Sequence, residues 1–154
     1  MNKLIALIIL FPLNILANPF LELIPGDSCS EAKAIESLIV GAEKGQVELD
    51  DEVVFYSVSG EHKGYRVQIS YQCRATELIN FSYKEFAEYS EAKEVVYSWV
   101  PIIKTKIGEP YIHTKFLNKE ELPNPDTVMV AWNYKNILCT AAVDSIDYGA
   151  VWSW

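Results

Sequence analysis

The sequence lacks the short motifs by which many enzymes are recognised. It has no Gly-x-Ser-x-Gly elbow, no His-Glu-x-x-His pair and no glycine-rich loop that could cradle a phosphate. Of its two histidines, His62 lies in a predicted hairpin loop and His113 in a connection bounded by prolines, and neither has an acid and a nucleophile beside it in sequence. We therefore predict a non-enzymatic protein without a cofactor.

Regularly spaced metal ligands are also missing. There is no Cys-x-x-Cys, and the two histidines offer little to a zinc site. The acidic run of Glu48, Asp50, Asp51 and Glu52 lacks the ligand spacing and central glycine of a calcium loop. We interpret this run as a solvated connection and predict no metal.

Positive charge is scarce. The chain has 13 Lys and Arg against 21 Asp and Glu, which gives a formal net charge of −8, and the basic residues are scattered along it. A phosphate backbone would be repelled, so we expect no nucleic-acid partner. A basic protein surface would be attracted.

The only long apolar run lies at the N-terminus. Residues 1–17 carry one charge at Lys3, an apolar run from Leu4 to Leu13, and a small residue, Ala17, at a plausible cleavage point. The run is shorter than the ~20 residues that span a bilayer, so it is typical of a secretory signal rather than an anchor. We predict a periplasmic or secreted protein that is not membrane-embedded, with residues 18–154 forming one domain.

Three cysteines, Cys29, Cys73 and Cys139, lie after the predicted signal. In an oxidising compartment one disulfide and one free thiol are expected, and three pairings exist. The topology described below would place Cys73 and Cys139 at the same end of a sheet, with Cys29 at the opposite end. We therefore expect a Cys73–Cys139 bridge and a free Cys29 thiol at a helix N-terminus, where the helix dipole favours the thiolate. A thiol-dependent enzyme at Cys29 is the least favoured of our functional hypotheses.

The first half of the chain predicts a helix and a hairpin. Ser28 and Glu31 have the spacing of a capping box, so a helix is expected from there to about Ala42, before Gly45. Strands are then predicted at Val53–Ser59 and Tyr65–Cys73, joined by a hairpin loop at Gly60–Gly64; the second of these runs alternates apolar and polar residues.

The second half predicts a long helix and a meander. Tyr83–Pro110 contains the longest helical pattern, with candidate starts at Ser82 and Ser90 and an interruption at Pro101 that would kink or restart the helix. The segment Arg74–Ser82 is compatible with either strand or helix. Strand-like runs follow, and they are Tyr111–Leu117 at an edge, Val128–Tyr134, Ile137–Val143 and Tyr148–Trp154.

These elements predict an α+β fold with two helices packed on one face of a mostly antiparallel sheet. One internal echo accompanies them, because Ser30–Lys33 and Ser90–Lys93 both read Ser-Glu-Ala-Lys and both open a predicted helix. A duplicated α-β-β unit would explain this echo.

Two candidate binding regions remain. The long connection Glu109–Asp126 combines aromatic, apolar and basic residues, and we predict that it binds a partner through Tyr111, His113, Phe116 and Leu117. The alternative is a glycan or small-ligand platform built from the C-terminal aromatics Trp132, Trp152 and Trp154, which requires exposed rings; the same alternation also fits a buried core. Our leading hypothesis is a protein binder that acts as an inhibitor, an immunity-type protein or an envelope accessory factor.

Overall fold

The computed structural model describes residues 18–50, 52–116 and 127–154, so the predicted signal segment lies outside the described residues. Its eight strands form one sheet in the order β1-β2-β3-β4-β8-β7-β6-β5, and every neighbouring pair is antiparallel. The elements are α1 (Cys29–Ile35), β1 (Val40–Asp50), β2 (Val53–His62), β3 (Tyr65–Arg74), β4 (Glu77–Phe86), α2 (Tyr89–Ile107), β5 (Ile112–His113), β6 (Met129–Tyr134), β7 (Ile137–Asp144) and β8 (Gly149–Ser153). The predicted α+β class is confirmed.

The first helix begins where predicted and ends early. The backbone N–H of Ser28 donates to the Glu31 carboxylate at 2.7 Å, so the capping box is formed. The expectation of a helix to Ala42 was wrong, because α1 stops at Ile35 and a single 3₁₀ turn leads into β1. Gly41 has a φ of +65°, which a helix does not accommodate, and pairing with β2 fixes the segment as a strand.

The predicted hairpin is confirmed and its turn is tighter than expected. Lys63 and Gly64 form a two-residue turn with φ angles of 50° and 85°, the positive values that a type I′ hairpin requires. Gly60 remains within β2, where an added Cβ would lie 2.6 Å from the Val40 carbonyl oxygen. Glycine therefore allows β1 to approach β2 closely at this point.

The segment around the predicted second helix divides into a strand and a helix. Residues up to Phe86 belong to β4, so a helix start at Ser82 was wrong, and α2 begins at Tyr89, beside the alternative start at Ser90. Pro101 lies on the exposed side of α2, which continues to Ile107 without restarting. A carbonyl that loses its donor on that side can bond to water instead.

Both helices pack against the same face of the sheet. Trp99 of α2 contacts Tyr83 of β4 with ring centroids 5.5 Å apart, and α1 is tied to β3 by a disulfide between Cys29 and Cys73. The register places Tyr83 opposite Ile69, which shares its face with Cys73. The core therefore lies between the helices and this one face, and the opposite side of the sheet, which we call the open face, carries neither helix.

The observed disulfide corrects the expected pairing. Cys29 and Cys73 are bonded with their Cα atoms 5.9 Å apart, and Cys139 is the free, buried cysteine. Two strands, β4 and β8, separate Cys139 on β7 from Cys73 on β3, which at ~4.8 Å per strand exceeds the reach of a disulfide. The Cys29 backbone N–H donates to the Thr76 carbonyl at 3.0 Å, so α1 starts beside the β3–β4 turn rather than at the far end of the sheet. A disulfide at this position indicates an oxidising compartment.

Candidate functional site

A row of small hydroxyl side chains crosses the centre of the open face. Strand register brings together the members of this hydroxyl row, which are Ser57, Ser70, Ser82, Ser153 and Thr140 on β2, β3, β4, β8 and β7. The same register continues it to Gly45 on β1 and to Ala131 on β6. The Thr140 and Ser153 hydroxyls lie 3.0 Å apart, and the Gln68 amide donates to the Ser57 hydroxyl at 3.3 Å. The centre of the face is therefore polar and able to both donate and accept hydrogen bonds.

One lysine beside the hydroxyl row is buried. The Lys84 side chain, 11% exposed, bonds to the Asp144 carboxylate at 2.7 Å and covers the Phe86 ring with its Nζ 4.8 Å from the centroid. Lys84 lowers the pKa of Asp144 by this hydrogen bond, and the Ile146 backbone N–H adds to the effect. An added Cβ at Gly149 would lie 2.9 Å from Lys84 Cε, so glycine gives the lysine its space. The ion pair with Asp144 links β4 to the end of β7 on this face.

Large apolar side chains border the open face. Val47 on β1 and Leu138 on β7 project from the open-face positions of their strands and are more than half exposed, while Ile146 and Tyr148 are exposed in the β7–β8 turn. The open face therefore has polar groups at its centre and apolar groups near its margins, and a partner protein would have to present both polar and apolar groups to it.

The C-terminal aromatics do not form a platform. Trp132, Trp152 and Trp154 are at most 7% exposed and belong to the core. The indole N–H of Trp132 donates to the Gly108 carbonyl at 3.0 Å, and those of Trp152 and Trp154 both donate to the Leu23 carbonyl. The alternative of ligand stacking on these rings was therefore wrong, because the side that carries them is the one that the helices cover.

Comparison with known proteins gives no match. No family model, no curated protein and no solved structure matches this chain. The surface itself is the basis for functional inference.

The predicted partner-binding segment is only partly described. Tyr111 is 60% exposed, and His113 is half-buried with its ring stacked on Tyr97 at 5.3 Å. Phe116 ends a short 3₁₀ helix, and Leu117 lies outside the described residues. Burial and the nearby Lys115 ammonium lower the pKa of His113. Of these residues, His113 lines a surface cavity of about 490 Å³ beside α2, and the prediction of binding there stays a hypothesis.

The thiols offer no nucleophile. Cys29 is consumed by the disulfide, which excludes a thiol enzyme at that residue. Burial raises the pKa of the Cys139 thiol to about 11, so it is protonated at neutral pH. Within the residues that the structure describes, no three His, Cys, Asp or Glu side chains come together as metal ligands, and no helix is long and apolar enough to cross a membrane.

Acidic side chains concentrate around the strands β1 and β2. Glu48, Asp50 and Glu52 line a surface cavity of about 570 Å³ that reaches Cys73, and Glu43 and Glu61 line another of about 370 Å³ at the opposite end of the same strand pair. The run interpreted from sequence as a solvated connection is thus partly in β1, with Glu48 and Asp50 inside the strand.

The hydroxyl row was not recognised from the sequence. Ser70 alternates with apolar residues in β3, which shows that it points away from the core, but a single serine at such a position is unremarkable. The row exists only once β4 is paired with β8, and no local pattern indicates that pairing.

Proposed function

We propose that this chain is a non-enzymatic periplasmic or secreted protein that binds a protein partner through the open face of its sheet, as an inhibitor, an immunity-type protein or an envelope accessory factor. The observation that supports this most is the hydroxyl row, which crosses five of the eight strands on a face that carries neither helix.

Small hydroxyl side chains suit this role for a physical reason. They allow the partner to approach the sheet backbone closely, and each hydroxyl can donate or accept without the loss of side-chain entropy that a long residue suffers. The exposed Leu138 and Tyr148 supply apolar contact area near the margins. The face thus combines hydrogen-bonding groups at the centre with apolar groups near the margins, the reverse of the usual apolar centre and polar rim.

The charge balance favours a basic partner. The chain carries a formal net charge of −8, which speeds encounter with a protein of opposite charge and selects against acidic ones. This effect weakens as salt screens it, so capture of the partner should be strongest at low ionic strength.

A matched pair of variants tests the proposal. Ser70→Tyr places a bulky ring in the middle of the open face, whereas Ser98→Tyr makes the same change on the exposed side of α2. In affinity capture from the exported fraction, we expect a protein retained by the wild type and by Ser98→Tyr and lost with Ser70→Tyr. Thermal unfolding of both variants checks that they are folded.

Equal capture by the two variants would refute the open face as the binding surface. If no protein is retained at either low or moderate salt, the binding function itself is contradicted.

We also propose that the two halves of the sheet are copies of one duplicated unit, larger than the α-β-β unit expected from sequence. In support, each of α1 and α2 precedes four strands, and the strand order is mirrored about the β4–β8 pair. The Ser-Glu-Ala-Lys segment begins at the second residue of each helix, and its alanines, Ala32 and Ala92, are both fully buried. Superposition of residues 28–86 on residues 88–153 tests this, since a duplication requires the helices and all four strands to align together.

A further inference from the structure

The edge strand β1 is long and unusually open. It contains 11 residues, it lies at the end of the sheet order, and no described strand pairs with its outer side. Ten of the 11 residues are exposed, among them Val40, Val47 and Leu49 at 72%, 55% and 54%. An edge of this kind presents a row of backbone donors and acceptors to which another strand can pair.

The charged side chains of β1 are mostly acidic. The strand contains three acidic residues, Glu43, Glu48 and Asp50, and one lysine, Lys44, whose ammonium is already bound by Glu36 of the preceding turn. A second copy of the chain pairing at this edge would set these carboxylates against an identical set. A basic strand would instead complement them, so the charge favours a different protein over self-association.

The two acidic cavities lie on opposite faces of the sheet beside this edge. Glu43 pairs with Ser59 on the open face, and the cavity there is shared with Glu61 and with Arg66, whose guanidinium lies over the Phe86 ring, so two carboxylates face one cation. Glu48 pairs with Val54, whose partner Cys73 belongs to the helix-covered face, and the cavity there is shared with Asp50 and Glu52. The lining of each cavity combines carboxylates with apolar side chains, a combination that suits the charged end and aliphatic stem of Lys or Arg.

We propose that the β1 edge binds a strand of a basic protein partner by β-augmentation, with two Lys or Arg side chains of that strand entering the two acidic cavities. The inference rests on the proposed binding function and names the chemistry of the partner. Between Glu43 and Glu48 the register with β2 is uninterrupted, and the two residues are an odd number of positions apart. The partner's basic residues must therefore also have odd spacing, so that they project to opposite faces.

Two synthetic peptides of identical composition test this directly. In Thr-Val-Lys-Thr-Val-Thr-Val-Lys-Thr-Val the lysines are five positions apart, and in a second peptide the latter lysine is exchanged with the valine before it, which makes the spacing four. We expect the first peptide to bind the purified protein about fivefold more tightly in calorimetry, the effect of one further ion pair. Amide hydrogen exchange in β1 should slow in that complex.

A matched pair of protein variants localises the effect. Glu48→Gln should remove the fivefold preference, whereas Glu94→Gln, which removes an exposed carboxylate from α2, should preserve it. Equal affinity for the two peptides, no binding of either, or binding without slower exchange in β1 would overturn the inference. A wild-type dimer in light scattering that Glu48→Gln strengthens would overturn it in favour of a second copy. None of these results alters the outcome of the Ser70→Tyr capture experiment, so failure here is distinguishable from failure of the proposed function.

Discussion

Removing the disulfide should destabilise the protein by an amount that its position predicts. Cys29 and Cys73 are 44 residues apart in sequence, so the bond closes a loop whose lost entropy in the unfolded chain corresponds to about 4 kcal/mol at 25 °C. The double variant Cys29→Ala/Cys73→Ala should lower the free energy of unfolding by that amount. In a domain of this size each kcal/mol is worth about 3–4 °C, so Tm should fall by about 12–16 °C.

The third cysteine supplies the control. Cys139→Ala removes one buried sulfur and should cost only about 1 kcal/mol of stability through the space it leaves. Urea unfolding followed by far-ultraviolet circular dichroism measures all three proteins, and a reducing agent should lower the stability of the wild type and leave that of the double variant unchanged. The reasoning is refuted if Cys139→Ala costs as much as the double variant, or if non-reduced peptide mapping links Cys139 to either other cysteine.

Three further predictions concern buried groups. Burial raises the pKa of Glu85, so the stability of the wild type should fall as pH rises above 4.5. In Glu85→Gln the amide oxygen still accepts the hydrogen bond from Tyr83. In urea unfolding this variant should therefore be more stable than the wild type at neutral pH, and the difference should vanish below pH 4. Gly149→Ala should destabilise the protein by about 1–3 kcal/mol, seen as a lower Tm, because the added Cβ would lie 2.7 Å from the Glu85 carbonyl oxygen. A disulfide reagent should label Cys139 slowly at pH 8 in the folded protein and rapidly in guanidinium; fast labelling of the folded protein would contradict its burial.

Local patterns predicted the elements whose signal is complete within a few residues. The alternation through Val67, Ile69 and Tyr71 marked β3, and the capping box at Ser28 marked the start of α1. The end of α1 could not be found in the same way, because Leu38, Ile39 and Ala42 continue the helical spacing beyond Ile35. What decides their structure is the ladder with β2, a tertiary interaction that outweighs intrinsic propensity.

The candidate site depended on information that is absent from any local segment. The disulfide requires the order of strands in the sheet, and the hydroxyl row requires the register between strands distant in sequence. The sequence could not decide whether the tryptophans form part of the core or an exposed binding platform. Alternation shows that they share one face of the sheet, but it does not indicate which face the helices cover. Charge, by contrast, is a property of composition, and the net acidity of the chain was visible in the residue counts.

The pairing of β4 with β8 has a consequence for folding kinetics. On either side of it the strands pair with their neighbours in sequence, so each half can form through local contacts, but Tyr83 must find Trp152 across the whole second half of the domain. We expect this encounter to set the rate of folding. Substitutions at the β4–β8 pair should then slow folding, whereas substitutions in the β2–β3 hairpin should mainly change the rate of unfolding.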